Sequence, residues 1–129
     1  MDSEFRILNI EIRNVFVFVL ITLMTHVGYS QNSPILKFRK DSVLIGELTP
    51  VNFTYKHDSS EEVLFVDSLY DFSPFEFEKK EVYTTKTVDS LSIDSVVYWL
   101  TTFELDKIQT LRIPVFIFTK GDSIPLYSN

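Results

Sequence analysis

The side chains that could perform acid–base or nucleophilic chemistry are few and poorly spaced for it. His57 is the only histidine after residue 31, and the chain has no cysteine. A nucleophilic serine needs a histidine base and commonly sits in a G-x-S-x-G turn, which is missing here. Zinc sites combine several Cys and His ligands. The sequence therefore predicts neither a catalytic triad nor a zinc centre, and His57, beside a polar turn, is expected at the surface.

Paired carboxylates are the remaining chemical candidates. Asp67 and Asp71 flank a short segment, and Glu76, Glu78 and Glu81 follow along one stretch. Their spacing matches no calcium loop, which uses ligands at fixed positions around a glycine. A glycosidase pair needs a substrate pocket between its carboxylates, and we expect none in so small a domain. Solvated strand faces are the favoured interpretation, and we predict no catalytic residue, no metal and no cofactor.

A recurring triplet of Asp, Ser and an aliphatic residue has two interpretations. It occurs five times, with its serines at Ser42, Ser68, Ser90, Ser95 and Ser123. Asp and Ser form turns by hydrogen bonding to nearby backbone, so the aliphatic residue would begin a strand. The triplet also resembles an O-glycosylation signal of exported proteins in some Gram-negative bacteria. Both interpretations stay open.

The elements that would carry these residues are β-strands. Apolar and polar residues alternate, with many aromatic and β-branched side chains, and no helical stripe follows residue 31. Breaks occur about every 8–12 residues, which is typical of a β-sandwich or barrel. At least six strands are predicted, and Pro114 is expected at a bulge or edge. The apolar or alternating segments are Ile35–Lys40, Val51–Lys56, Glu62–Val66, Phe75–Phe77, Val82–Val88, Ser95–Phe103 and Thr110–Thr119.

The first thirty residues have the layout of a secretory signal peptide. Val15–Met24 contains a single polar residue, and the segment is too short to span a bilayer as a helix. Gly28 and Ser30 are small residues at the positions that a signal peptidase reads, so cleavage is predicted between Ser30 and Gln31. The acidic residues near the N-terminus are unusual for a leader, and the alternatives are a buried strand or an uncleaved anchor.

Composition narrows the class of partner for residues 31–129. They contain ten Lys and Arg against fifteen Asp and Glu, a net charge of −5. Nucleic acids and anionic membranes reward clustered cations, so neither is expected as the main partner. Without cysteine, an exported domain must be held by packing alone, and its many Phe and Tyr residues supply that packing.

The last long strands are apolar on both faces. Tyr98 and Trp99 alternate in one, and Phe116 and Phe118 add aromatic bulk to a face of the other. One face of a sandwich sheet normally meets water. Either the outward aromatics form a contact surface for another protein or domain, or they cap the edge of this domain.

The chain resembles the immunoglobulin-like N-terminal domain of BatD-type exported envelope proteins. The similarity lies in Asp41–Glu47, in Tyr98–Leu105, in Leu111–Pro114, and in Gly121–Asp122 followed by a closing strand. It implies a single antiparallel immunoglobulin-like β-sandwich over residues 31–129, in the periplasm or at the cell surface of a Gram-negative bacterium. In that family a membrane anchor follows the β domains, so this chain would be either the N-terminal part of a longer protein, with an anchor beyond Asn129, or a short relative.

A non-catalytic interaction or scaffold domain is the function that these features favour. Its partner would be another envelope protein or a following domain of the same chain. The alternative is a carbohydrate-binding module with an aromatic platform formed by Trp99, Tyr98 or Phe116, because glycan-binding modules stack sugars on exposed rings. That alternative requires Trp99 to be exposed.

Overall fold

This computed structural model describes residues 32–129 of the chain. They contain eight strands, all paired antiparallel. No helix occurs within this range. The predicted leader and its cleavage site between Ser30 and Gln31 lie outside the described residues. The strands are β1 (Ile35–Phe38), β2 (Thr49–Asp58), β3 (Glu62–Phe65), β4 (Glu76–Val82), β5 (Lys86–Val88), β6 (Leu91–Thr101), β7 (Pro114–Thr119) and β8 (Asp122–Tyr127).

The strands form two sheets. The larger has the order β1-β2-β6-β4, with β5 also paired to β6, and the smaller has the order β3-β7-β8. This division corresponds to the four-plus-three arrangement of constant-type immunoglobulin domains, with β5 as an addition. The prediction of a single antiparallel, immunoglobulin-like β-sandwich is therefore confirmed.

The core lies between the sheets and follows from the alternation in sequence. On β2, Val51, Phe53 and Tyr55 point inward and are buried, whereas the residues between them are more exposed. Phe53 meets Phe65 of the smaller sheet edge to face, with 5.4 Å between ring centroids. Such pairs add stabilisation to the burial of their apolar area, so the aromatics close this cysteine-free sandwich.

Two predicted strands differ from those observed. Val82–Val88 is divided, because the chain leaves the ladder after Val82 and the backbone N–H of Tyr83 donates to Ser95 O (3.0 Å) before β5 begins. The last predicted strand begins only at Pro114, which is the first residue of β7. Proline lacks an N–H for the ladder, so a strand start accommodates it.

Candidate functional site

His57 lies inside the sandwich, so its predicted surface position is wrong. Its exposed fraction is 6%, and its ring stacks on Tyr55 with 5.5 Å between centroids. Residue 57 shares the inward parity of Tyr55 on β2, and this parity outweighs the polar turn that follows. The ring nitrogens contact Asp58 O (2.7 Å, Nδ1) and Asp94 Oδ2 (2.9 Å, Nε2).

These contacts use His57 as a structural group. A backbone carbonyl only accepts hydrogen bonds, so Nδ1 of His57 carries a proton. Nε2 is engaged by the Asp94 carboxylate, whose other oxygen accepts the hydroxyl of Thr85. Neither ring nitrogen is left to take a proton from a nucleophile. The contacts among His57, Asp94 and Thr85 thus connect β2, β6 and the segment before β5 at one end of the larger sheet.

The paired carboxylates Asp67 and Asp71 organise the connection between β3 and β4. Asp67 Oδ1 accepts the backbone N–H of Leu69 (3.1 Å). Asp71 Oδ1 accepts both the hydroxyl (2.6 Å) and the backbone N–H (2.9 Å) of Ser73, and these bonds hold the Asp71 pKa below its usual range. Within residues 32–129, no group of three or more potential ligands is arranged to hold a metal ion.

The four candidate interface aromatics divide among three environments. Tyr98 is fully buried in the core, where its hydroxyl donates to Val66 O (2.8 Å). Trp99 is half-buried on the outer face of the larger sheet, with Lys79 Nζ 6.0 Å from its ring centroid. Phe116 and Phe118 lie on the outer face of the smaller sheet, the first half-buried and the second 42% exposed. The four therefore do not form one surface.

The indole N–H of Trp99 faces the carboxylate of Glu81 without a hydrogen bond of normal geometry. The Nε1 atom is buried and has no hydrogen-bond partner among residues 32–129. Glu81 nevertheless has a lowered pKa, chiefly because Lys79 donates to it, with Trp99 as a smaller cause. Lys79 and Glu81 thus sit around the indole, which restricts its use as a stacking platform.

The smaller sheet presents an apolar outer face formed by Leu64, Phe116, Phe118, Pro125 and Tyr127. The strand register places Leu64, Phe116 and Pro125 in one row across the three strands. Glu62 lies opposite Phe118 at one end, and the Arg112 guanidinium carbon lies 5.0 Å from the centroid of the Tyr127 ring at the other. Sequence analysis identified only the two phenylalanines, because the inward parity of β3 and β8 had not been assigned.

The serines of the repeated triplet lie mainly at the surface. Ser42, Ser68, Ser90 and Ser123 are exposed, whereas Ser95 is half-buried within β6, with its Oγ 3.4 Å from Thr54 Oγ1. Turns occur at two of the five sites, Asp67–Ser68 and Asp89–Ser90, and only after the second does the aliphatic residue, Leu91, begin a strand, so the first interpretation holds in part. O-glycosylation stays a prediction for the four exposed serines, and Ser95 is the least accessible to a modifying enzyme.

The fold defines the class of protein as an immunoglobulin-like β-sandwich. The chain matches no protein-family model, no curated protein and no solved structure. Across residues 32–129, no helix is long and apolar enough to cross a membrane. The function must accordingly be argued from the surfaces themselves.

Proposed function

We propose that this chain is a non-catalytic, exported β-sandwich that acts as an interaction or scaffold domain of the bacterial cell envelope. The observation that carries the proposal is the apolar outer face. Leu64 is 54% exposed, Phe118 42% and Tyr127 43%, all on one face of a three-stranded sheet. Contiguous apolar patches on soluble proteins commonly mark interaction sites. The leader-like sequence and the similarity to BatD-type proteins support an envelope location.

A second copy of the chain is the partner that fits this face best. The face has Glu62 at one end and Arg112 at the other, and both are exposed. When two such faces pack with their strands antiparallel, the carboxylate of each copy approaches the guanidinium of the other. The apolar centre would supply the association energy, and the charges would favour this orientation over the parallel one.

Sedimentation equilibrium of the purified full-length chain tests the proposal. We expect a concentration-dependent dimer, and we expect the double variant Leu64→Ser/Phe118→Ser to weaken association at least about tenfold, which corresponds to about 1.4 kcal/mol. Both side chains are well exposed, so the melting temperature should shift by only a few degrees.

Ile35→Ser is the matched control. Ile35 is 65% exposed and lies on the outer face of the larger sheet, on β1. It should leave association unchanged. A monomer at every concentration, or equal weakening by Ile35→Ser, would contradict pairing through the apolar face.

A further inference from the structure

A groove of about 380 Å³ with both polar and apolar lining, the latter including Ile93 and Val97, crosses the outer face of the larger sheet, on the side opposite the apolar face. Its volume lies within the range of small-molecule sites. Thr54, Ser95 and Val97 form the floor, because the register of β2 and β6 places them on the outer face. Arg39 and Lys86 stand at its rim.

The groove exists because the chain between β4 and β5 folds beside β6. The hydrogen bond from Tyr83 N to Ser95 O (3.0 Å) holds this connection in place. It positions the half-exposed ring of Tyr83 as one wall. On the other side, Arg39 Nε donates to Asn52 Oδ1 (3.1 Å), which fixes the guanidinium. Its terminal nitrogens make no hydrogen bond or ion pair with the described residues.

The charge around the groove is opposite to that of the domain. Residues 31–129 carry a net charge of −5. Four cations nevertheless surround the groove: Lys37 on β1, Arg39 just after β1, Lys56 on β2 and Lys86 on β5. None of these four residues forms a salt bridge within residues 32–129. The carboxylate of Glu81 lies opposite Val97 in the strand register, and Lys79 pairs with it. These four cations concentrate positive charge on one face of a net-negative domain, which favours an anion at this face.

The uncharged residues that line the groove indicate which class of anion it could bind. Asn52, Thr54, Thr84 and Ser95 bring an amide and three hydroxyls to the groove. The hydrogen bond between the Thr54 and Ser95 hydroxyls is long, at 3.4 Å, so both hydroxyls can replace it with hydrogen bonds to a ligand. Amides and hydroxyls suit sugar hydroxyls, an exposed tyrosine ring suits the apolar face of a sugar, and a guanidinium suits a carboxylate or sulfate.

We propose that this groove binds a short acidic saccharide, whose sugar rings carry carboxylate or sulfate groups. Arg39 and Lys86 pair with the acidic groups, the hydroxyls and the Asn52 amide bond the ring hydroxyls, and Tyr83 packs on a sugar face. The site is separate from the apolar face and from the Trp99 platform. It goes beyond the proposed interaction function and does not depend on it.

Calorimetric titration of the full-length chain with trigalacturonate tests the site. We expect saturable binding that weakens with added salt, and no comparable binding of the neutral galactotriose. Arg39→Gln and Lys86→Gln should each lower the affinity at least about tenfold. A sulfated galactose trisaccharide, titrated in parallel, distinguishes carboxylate from sulfate as the preferred acidic group.

Lys120→Gln is the matched control, because it removes the same charge at the exposed β7–β8 turn. It should bind trigalacturonate like the unaltered chain. The proposal is overturned by equal binding of galactotriose, by no binding of either acidic probe, or by equal losses in Lys120→Gln. Tighter binding of a single-stranded oligonucleotide than of both acidic trisaccharides would also overturn it, since the site would then recognise a different polyanion.

Discussion

Two polar side chains on the inward face of the larger sheet add to the apolar packing that closes this sandwich. The Tyr98 hydroxyl and the Lys80 ammonium both donate to Val66 O, at 2.8 and 3.3 Å, and Lys80 also donates to Phe65 O (3.2 Å). Burial raises the pKa of Tyr98, so its phenol keeps the proton that it donates. Buried polar atoms need partners, and here the partners belong to the opposite sheet. Two residues of the larger sheet thus anchor the end of β3.

Ser73 should make the stability of the domain depend on pH. The Asp71 pKa is lowered first by the Ser73 hydroxyl and then by the Ser73 N–H. A carboxyl whose pKa is depressed by folding stabilises the protein above its unfolded pKa of about 3.9, and this contribution is lost as the pH falls through the folded pKa. Ser73→Ala should therefore lower the urea midpoint at neutral pH, with a difference that shrinks at about pH 3 or below.

Ser42→Ala provides the matched control for Ser73→Ala. Ser42 is exposed and also follows an aspartate, but it makes no side-chain hydrogen bond with the described residues. Its urea midpoint should equal that of the unaltered chain at both pH values. A loss in Ser73→Ala that stays constant with pH would show that the hydroxyl acts independently of the Asp71 charge.

At the level of elements, alternation predicted the strands well and their ends poorly. The buried parity of β2 follows directly from Val51, Phe53 and Tyr55. The break after Val82 could not be predicted, because Thr84 and Thr85 have the same strand-favouring chemistry as the residues that do pair. It depends on a contact between Tyr83 and Ser95, which are distant in sequence.

The candidate surfaces, too, could be predicted from the sequence only in part. Phe116 and Phe118 could be identified from sequence because β7 is apolar at consecutive positions. Leu64, Pro125 and Tyr127 join them only through the pairing of β3 and β8 with β7. The groove on the larger sheet was not predicted from the sequence, because one of its walls is the unpaired connection after Val82. The local sequence pattern therefore predicts which residues are apolar, whereas the pairing of strands determines which of them lie side by side.

The β7–β8 hairpin should depend on the backbone of Gly121. Its φ is 91°, and a Cβ added there would meet no atom within 4 Å. Gly121→Ala therefore introduces backbone strain without a steric clash, and we expect a cost of about 1–2 kcal/mol in unfolding free energy. Gly121→Asn should cost less, because asparagine adopts positive φ more readily. Urea denaturation of the three chains measures this order.

Gly46 offers a comparison within the same fold. Its φ is 73°, and an added Cβ would lie 3.4 Å from Cε1 of Phe103, a ring that is 60% exposed and can yield. Gly46→Ala should therefore cost about as much as Gly121→Ala. An alanine without cost at Gly121, or an asparagine worse than the alanine, would contradict the role of positive φ there.

On the scale of the whole molecule, the two outer faces have different chemistry. One is apolar across three strands, and the other carries four cations around a groove that several hydroxyl side chains line. The sandwich core separates them by its full thickness, so side chains on one face do not touch those on the other. The two proposed sites could therefore be occupied at the same time.

The remaining whole-molecule prediction concerns maturation. The described unit runs from Asn32 to Asn129, and its buried core residues all lie between Val51 and Ile117. When the full-length chain is expressed in a Gram-negative host, we expect the exported protein to begin at Gln31, as measured by intact mass and N-terminal sequencing.

Ser30→Phe tests whether a signal peptidase makes that cut. Signal peptidase requires small residues at the A-x-A-like site that Gly28 and Ser30 supply. A bulky side chain at residue 30 should block processing and leave the longer chain attached to the membrane fraction, whereas Ser33→Phe, beyond the site, should be processed normally. An intact Met1 terminus in exported protein from the unaltered chain would instead mean that the leader stays as an anchor.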